Sequence, residues 1–432
     1  MTDFIPIIAI SWFLYFLKYN RINNPLVGLL FVSYLFFATN YSNFGLELNF
    51  DIFRSLHRII GITCILVFLM HVVKYKVNIL NEWVPKMLIL FFLVLLLSFI
   101  GNEIYLDYYI YYIRNFVFIS LIVLFIYYKV DSQDKLDELF KLIGMATLLL
   151  SLFVVFQTIV KDWGARETLF FSNPNYLGMA LFPGFTILLF STYRFSWVLS
   201  LVVLFAIFSS GSRAVEVACI FVLLLFVYSN IKQFNIKYLI LAMIFCIGSS
   251  VLFFDKIVIK KDISNVRFVI SKIVVNILKE NPINGIGYGQ FKKSFTEYID
   301  EDILKIGNNE INYVYLANNP DSSTNEITFS SLAVKNDVIK NNPKEKMTHN
   351  DLFTVLAELG LVGFLFILFL FYKLYIELKR LLIHSRNNCF LSISLISGIL
   401  IFSMFHNNLT SFIFWFIIFL PFIMNRNYDY HL

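Results

Sequence analysis

Charged side chains are scarce in this sequence of 432 residues. Asp, Glu, Lys and Arg make up 15% of it and apolar residues 59%, whereas soluble proteins have about 25% charged residues. This composition excludes a soluble globular protein and indicates an integral membrane protein. The apolar runs also lack the two-residue alternation of a membrane β-barrel, which leaves membrane-spanning helices.

Cysteine and glycine are few as well. The four cysteines lie in separate apolar runs and give little support to a disulfide framework or a cysteine-based metal site. The 17 glycines leave bulky spans without a repeated small-xxx-small pattern. The net charge of +6 requires no nucleic acid partner, because Lys and Arg cluster at the ends of the apolar runs.

The apolar runs predict an all-α polytopic membrane protein with about 12–13 transmembrane helices, packed as one membrane domain. The predicted helices are centred near residues 10, 32, 66, 92, 120, 151, 184, 202, 222, 246, 366, 397 and 417. Most Lys and Arg residues fall in alternate connections, which should face the cytoplasm. The long polar segment 255–348 falls on the opposite side.

The chain therefore divides into an N-terminal transmembrane bundle (1–254), a large loop with amphipathic helices (255–348) and C-terminal transmembrane helices (349–432). We expect the loop to be mostly helical and to face outward. Polar residues near this outer surface are the candidates for function, because a charge near the bilayer is costly without a partner or a water-filled cavity.

A short turn at residues 209–216 places Arg213 at the start of a predicted helix. Helix starts carry unpaired N–H groups and partial positive charge, and a guanidinium adds further donors, so this turn is suited to a phosphate or diphosphate. Two alternatives remain: Arg213 reaches the lipid headgroups, or it pairs with Glu216.

Apolar residues at 266, 269, 270, 273, 274 and 277 recur at helical spacing and predict an amphipathic helix of about fifteen residues on the outer surface, with Arg267 at its start. A glycine-rich segment with Gly285, Gly287 and Gly289 follows. It lacks the strand and the glycine spacing of a dinucleotide fingerprint. Such a turn lets a lipid head or a sugar approach the backbone, or is a plain connector.

The polar segment ends in the sequence Thr-His-Asn-Asp at residues 348–351. His349 would lie at the boundary between water and lipid, next to a helix that leads straight into the membrane. There it can act as a general base or as a cation facing an anionic leaving group, unless it is simply a solvated loop histidine. The acidic residues at 300–302 lie near lysines, which favours a solvated helix face over a metal site.

Four motifs follow one another from residue 173 onward. They are Asn-Pro-Asn at 173–175, Ser-Arg at 212–213, an arginine before Pro-x-x-Gly-x-Gly-x-Gly-x-Phe at 282–291, and His-Asn-Asp at 349–351 ahead of Glu-Leu-Gly-Leu-x-Gly at 358–363. In this order they resemble the O-antigen ligase and polymerase family. The resemblance covers roughly residues 173–421, including His-Asn-Asn at 406–408.

The resemblance implies an inverting glycosyltransferase of the bacterial inner membrane, with a GT-C-like fold and a periplasmic loop. Its donor would be a glycan linked through diphosphate to undecaprenol, with no nucleotide sugar, metal or cofactor. The long loop, with its Asn- and Ser-rich insert at 308–343, favours a polymerase of repeat units over a ligase that transfers the glycan to lipid A-core. Candidate protein partners are a chain-length regulator and a flippase.

By the family's pattern, Arg213 and Arg267 match the arginines that hold the donor diphosphate, and His349 matches the essential histidine near the reacting hydroxyl. Further residues of the same motifs are predicted to contact substrate: Asn173, Asn175, Ser212, Gly285, Gly287, Tyr288, Asn350 and Asp351. Two other classes remain open, a transporter such as a flippase for the same lipids and a structural or receptor protein. A transporter is less favoured because the distinctive residues gather near one surface and show no internal repeat.

Overall fold

A computed structural model describes residues 68–69, 72–73, 81–102, 105–160, 174–230, 263–298, 350–407, 409 and 411–429. Within these ranges the chain is almost entirely helical and contains no strand. Four of the described helices are long and apolar enough to cross a membrane, and four shorter helices are also apolar. The protein is therefore an all-α polytopic membrane protein, as the sequence predicts.

The helices are numbered here in chain order. They are α1 (Trp83–Leu97), α2 (Leu106–Lys129), α3 (Gln133–Val160), α4 (Pro174–Phe190), α5 (Ser196–Ser210), α6 (Arg213–Ser229), α7 (Ile263–Glu280), α8 (Phe291–Ser294), a 3-10 turn (Phe295–Tyr298), α9 (Asp351–His384), α10 (Arg386–Ser403) and α11 (Phe412–Asp429).

Nine of the predicted centres, near residues 92, 120, 151, 184, 202, 222, 366, 397 and 417, each fall inside one of these helices. Those near 10, 32, 66 and 246 lie outside the described residues, as does most of the predicted loop. The division of the chain at residues 254 and 348 remains a prediction.

Short connections bring helix termini together at two ends of the bundle. At one end, the Asn350 side chain donates to the carbonyl of Met404 (3.1 Å), and the backbone N–H of Tyr105 donates to the side chain of Gln290 (3.0 Å). At the other end, the Asn387 side chain donates to the carbonyl of Phe190 (3.2 Å). We call the first of these the site end, because α4, α6 and α9 all begin there.

Aromatic rings fill the centre of the bundle. Phe91 of α1 packs on Phe366 of α9 (ring centroids 4.8 Å apart) and on Trp415 of α11 (5.0 Å). Elsewhere α10 approaches α4 so closely that a Cβ at Gly398 would lie 1.9 Å from the Phe182 ring. In a membrane, this close packing rather than the hydrophobic effect holds helices together.

Helix α9 is broken at Gly360, which has φ 59° and ψ −152°. The sequence predicted a helix that runs straight into the membrane, and the structure corrects this. In an unbroken helix, Leu361 N–H would donate to the carbonyl of Ala357 and Val362 N–H to that of Glu358. The break separates these groups, and each must find another partner in a medium without water.

The segment 281–290, which we call the glycine turn, supplies all four partners. Its carbonyls at Pro282 and Ile283 accept from the N–H groups of Leu361 (2.9 Å) and Val362 (3.1 Å). Two of its own N–H groups, at positions 286 and 287, donate to the carbonyls of Ala357 (2.9 Å) and Glu358 (3.0 Å). The turn is thus inserted into the helix break. Only glycine fits at the contact, since a Cβ at Gly360 would lie 2.4 Å from the Ile283 oxygen.

A pair of glycine variants tests this contact. Both Gly360 and Gly101 have positive φ, but a Cβ at Gly101 would meet no atom within 4 Å. We expect Gly101→Ala to cost about 1 kcal/mol of stability from backbone strain alone. Gly360→Ala should cost roughly 2 kcal/mol more, because it also displaces the hydrogen bonds of the turn. The measurement is the apparent Tm of the purified protein in detergent, and equal Tm values for the two variants would contradict the description of the break.

Candidate functional site

The first turn of α4 meets the Ser-Arg turn at the site end. A Cβ at Gly178 would lie 3.0 Å from the Ser212 Cβ and 3.1 Å from the Ser210 Oγ. Asn175 is half-buried in the same turn of α4, and Tyr176 lies within electrostatic range of Asp351. Three of the four motifs are therefore neighbours, while Asn173 lies outside the described residues.

Arg213 is the first residue of α6, as the sequence predicts. Gly211 ends α5 with φ 61° and allows the tight reversal between the two helices. Ser212, the N-cap residue, is buried, yet its hydroxyl makes no cap hydrogen bond. Its Oγ has no hydrogen-bond partner in this structure. The Arg213 residue is exposed, so donors and positive charge are concentrated at this helix start.

Asn350 caps α9 and joins it to a hairpin. Its Oδ1 accepts from the N–H groups of Leu352 (2.8 Å) and Phe353 (3.2 Å), and its Nδ2 donates to the carbonyl of Met404. The next residue, Asp351, is only 6% exposed and accepts from the N–H of Leu409 at 3.1 Å. The first turn of α9 is therefore fixed to the connection between α10 and α11. His349 precedes this turn directly but lies outside the described residues.

Helix α7 packs its apolar face on the start of α9. The positions 270, 273, 274 and 277, which the periodicity assigned to one face, are all buried. They cluster with Ile286, Phe291 and Ala357. Arg267 lies in this helix, three positions before Ile270, which places it one helical turn from the cluster.

The glycine turn makes its close contacts with protein. Gly285, Gly287 and Gly289 all have positive φ, and a Cβ at Gly289 would lie 2.4 Å from the Tyr112 ring. Tyr288 is 1% exposed and packs edge-on against Tyr112, with 5.5 Å between ring centroids. Its N–H donates to the Ser98 hydroxyl at 3.1 Å. The ring of Tyr288 therefore lies inside the protein, and substrate binding by these residues stays a prediction.

Burial also affects the chemistry of Tyr288. It raises the pKa of the Tyr288 hydroxyl well above its usual value of 10.0, and the negative charges of Glu358 and Asp351 contribute in the same direction. The hydroxyl consequently stays protonated at neutral pH and serves as a hydrogen-bond donor or acceptor. It is not suited to act as a base.

Glu358 belongs to the motif Glu-Leu-Gly-Leu-x-Gly, to which the sequence assigns no role. It is 5% exposed, and its two carboxylate oxygens accept from the N–H groups of Gly289 (2.8 Å) and Phe291 (3.1 Å). A carboxylate in an apolar helix is costly unless it is paired. That cost is the signal in the sequence that could have identified Glu358 as a residue with a partner.

No three His, Cys, Asp or Glu side chains in the described ranges come together as a metal site. The acidic residues at 300–302 fall outside those ranges. The interpretation of residues 300–302 as a solvated helix face rather than a metal site therefore remains a prediction.

Residues 198–320 match the family model for O-antigen ligase. The match covers less than a third of the chain and supports its resemblance to the O-antigen ligase/polymerase family. The matched segment contains Ser212, Arg213, Arg267 and the glycine turn, whereas the motifs at 173–175 and 349–351 lie outside it. No curated protein matches the chain. The matched family indicates a ligase- or polymerase-type function on lipid-linked polysaccharide.

Ser212 and Ser210 form a matched pair for testing this site. The Ser212 hydroxyl is buried without a partner, whereas Ser210 Oγ donates to the carbonyl of Ile207 at 2.6 Å. Ser212→Ala should leave the apparent Tm unchanged or slightly raised, and Ser210→Ala should cost about 1 kcal/mol. If Ser212 binds substrate, its alanine variant alone should weaken binding of a lipid-linked donor to protein in nanodiscs. A lower Tm for Ser212→Ala would show that its hydroxyl is structural.

Proposed function

We propose that this protein is an inverting, metal-independent glycosyltransferase that transfers a glycan from undecaprenyl diphosphate on the periplasmic side of the bacterial inner membrane. We further propose that it polymerises the repeat units of O-antigen or capsular polysaccharide. The observation that carries this proposal is the meeting of the starts of α4, α6 and α9 with the glycine turn at one end of the bundle.

Arg213 would bind the donor diphosphate. It is exposed at the first position of a 17-residue helix, where the helix dipole adds to its charge. As the bond to the sugar C1 breaks, negative charge grows on the diphosphate oxygen. A guanidinium fixed at that oxygen stabilises the transition state more than the ground state. Arg267 would supply the second guanidinium from α7.

His349 would act on the acceptor hydroxyl. It directly precedes Asn350, whose cap and contact with Met404 fix the start of α9. We propose that its imidazole accepts or orients the proton of the hydroxyl that attacks C1 from the face opposite the diphosphate. Attack from that face gives inversion of the anomeric configuration.

The distribution of basic residues supports the periplasmic orientation. At the end opposite the site, basic residues lie near the termini of most described helices: Lys129, Lys135, Arg194, Lys379, Arg380, Arg386 and Arg426. By the positive-inside rule this end faces the cytoplasm. The site end would then face the periplasm, where lipid-linked glycans are displayed after a flippase has moved them.

A transporter of the same lipids is the alternative from another class. Transporters of that kind bind substrate near the bilayer midplane, in helices broken in two matching halves. The break in α9 is different, because the glycine turn occupies it and satisfies its four backbone groups. This filled break favours an enzyme at the surface over a pathway through the membrane.

Alanine variants in cells that lack the chromosomal gene test both the activity and its subtype. If the protein is a polymerase, cells that lack it should carry only single repeat units on the lipid core. Arg213→Ala, Arg267→Ala and His349→Ala should fail to restore long chains, because losing one transition-state contact of this type costs about 10²–10³ in rate. The measurement is the polysaccharide length distribution on a gel, normalised to the amount of protein in the membrane.

Arg386→Ala is the matched control, because Arg386 is exposed at the first position of α10 at the opposite end. It should restore long chains fully. Normal chains from all three site variants would contradict the assignment of the site. Long chains that accumulate on the undecaprenyl carrier without reaching the core would instead support the ligase alternative.

A further inference from the structure

The carboxylate of Glu358 holds the glycine turn at a point that backbone contacts do not reach. The four backbone hydrogen bonds at the helix break involve residues 282, 283, 286 and 287 of the turn. Beyond them, the N–H groups of Gly289 and Phe291 donate to the two carboxylate oxygens of Glu358, at 2.8 and 3.1 Å. Each oxygen has its own donor, so the carboxylate fixes both the position and the direction of the chain.

The Glu358 side chain is buried, and among the described residues its hydrogen-bond donors come from the glycine turn and the start of α8. Without Glu358, two buried N–H groups would lose their acceptor, and leaving such groups unsatisfied costs more than losing an exposed hydrogen bond. The interaction is thus stronger than a surface contact and acts on a defined place in the chain.

Two candidate catalytic residues belong to the elements that Glu358 connects. Helix α7, which contains Arg267, leads directly into the glycine turn and packs on Ala357 of α9. Helix α9 begins at Asp351, two residues after His349. The connection from α1 to α2 also contacts the glycine turn, because Asn102 Nδ2 donates to the carbonyl of Gly285 (2.9 Å).

We propose that Glu358 is a positioning residue, which holds the helix of Arg267 and the helix that follows His349 in one fixed arrangement for glycan transfer. The inference rests on the proposed function, because only that function requires the two residues to act together in one transfer reaction, Arg267 on the donor and His349 on the acceptor. Glu358 itself touches no reacting atom in this account. Its effect on the reaction is through alignment, and misplacement by about 1 Å is enough to slow an enzyme about 100-fold.

The experiment uses the full-length protein in nanodiscs and two readouts. Hydrogen exchange followed by mass spectrometry reports the protection of the amides at 285–291, and turnover of an undecaprenyl-diphosphate-linked repeat unit reports kcat and KM. In Glu358→Ala, we expect faster exchange in this peptide and a kcat lowered about 100-fold. The KM for the donor should change less than kcat, because only Arg267 is displaced, while Arg213 lies on another helix and keeps its contact with the diphosphate.

Glu358→Gln is the conservative variant. Its amide has one oxygen and so keeps one of the two N–H acceptors, which should give exchange and kcat between those of the wild type and the alanine variant. If Glu358→Ala does not reach the membrane, the same two readouts are measured on Glu358→Gln alone. Glu280→Gln is the control, because Glu280 is exposed at the end of α7, and it should match the wild type in both readouts.

Unchanged kcat in Glu358→Ala or Glu358→Gln would overturn the proposal, even if exchange became faster, because the carboxylate would then be structural only. Unchanged exchange would overturn it as well. If the wild type shows no transfer with lipid-linked donors, the proposed function fails separately. The exchange data would in that case still show whether the carboxylate holds the turn.

Discussion

The structure depends on one exchange of backbone hydrogen bonds at the broken helix α9. A break within a membrane helix leaves polar backbone groups that no water can satisfy. Here the glycine turn satisfies the two carbonyls and the two N–H groups that the break at Gly360 separates. Because the turn lies within residues 255–348, the segment predicted to be the long loop, the same contact also fixes part of this segment to the bundle.

This contact explains why the polar motifs lie close together although they are far apart in the sequence. The end of α7 is fixed to α9 by the glycine turn, and the start of α9 is fixed to the α10–α11 hairpin by Asn350 and Asp351. The start of α6 packs in turn against α4 at Gly178. Three of the motifs thus lie at helix starts and the glycine turn lies between α7 and α8, so rigid helices position all four.

The sequence predicts much of this fold because the membrane restricts the choice of structure. Runs of apolar residues can only be helices, so nine predicted centres fall within observed helices. The helical periodicity also identified the buried face of α7. It could not reveal the break in α9, because Gly360 alone does not show that another backbone segment fits there. The role of Glu358 could not be predicted either, because the motif does not show which N–H groups its carboxylate accepts from.

The central claim is that a sugar bond to diphosphate is exchanged, with inversion, for a bond to a sugar hydroxyl at the site end. The most direct measurement uses purified protein in liposomes with a lipid-linked repeat unit of known anomeric configuration, and NMR of the new glycosidic linkage. The account predicts a linkage of the opposite configuration, formed together with free undecaprenyl diphosphate. A linkage with retained configuration, or movement of the intact lipid across the bilayer without bond formation, would contradict it.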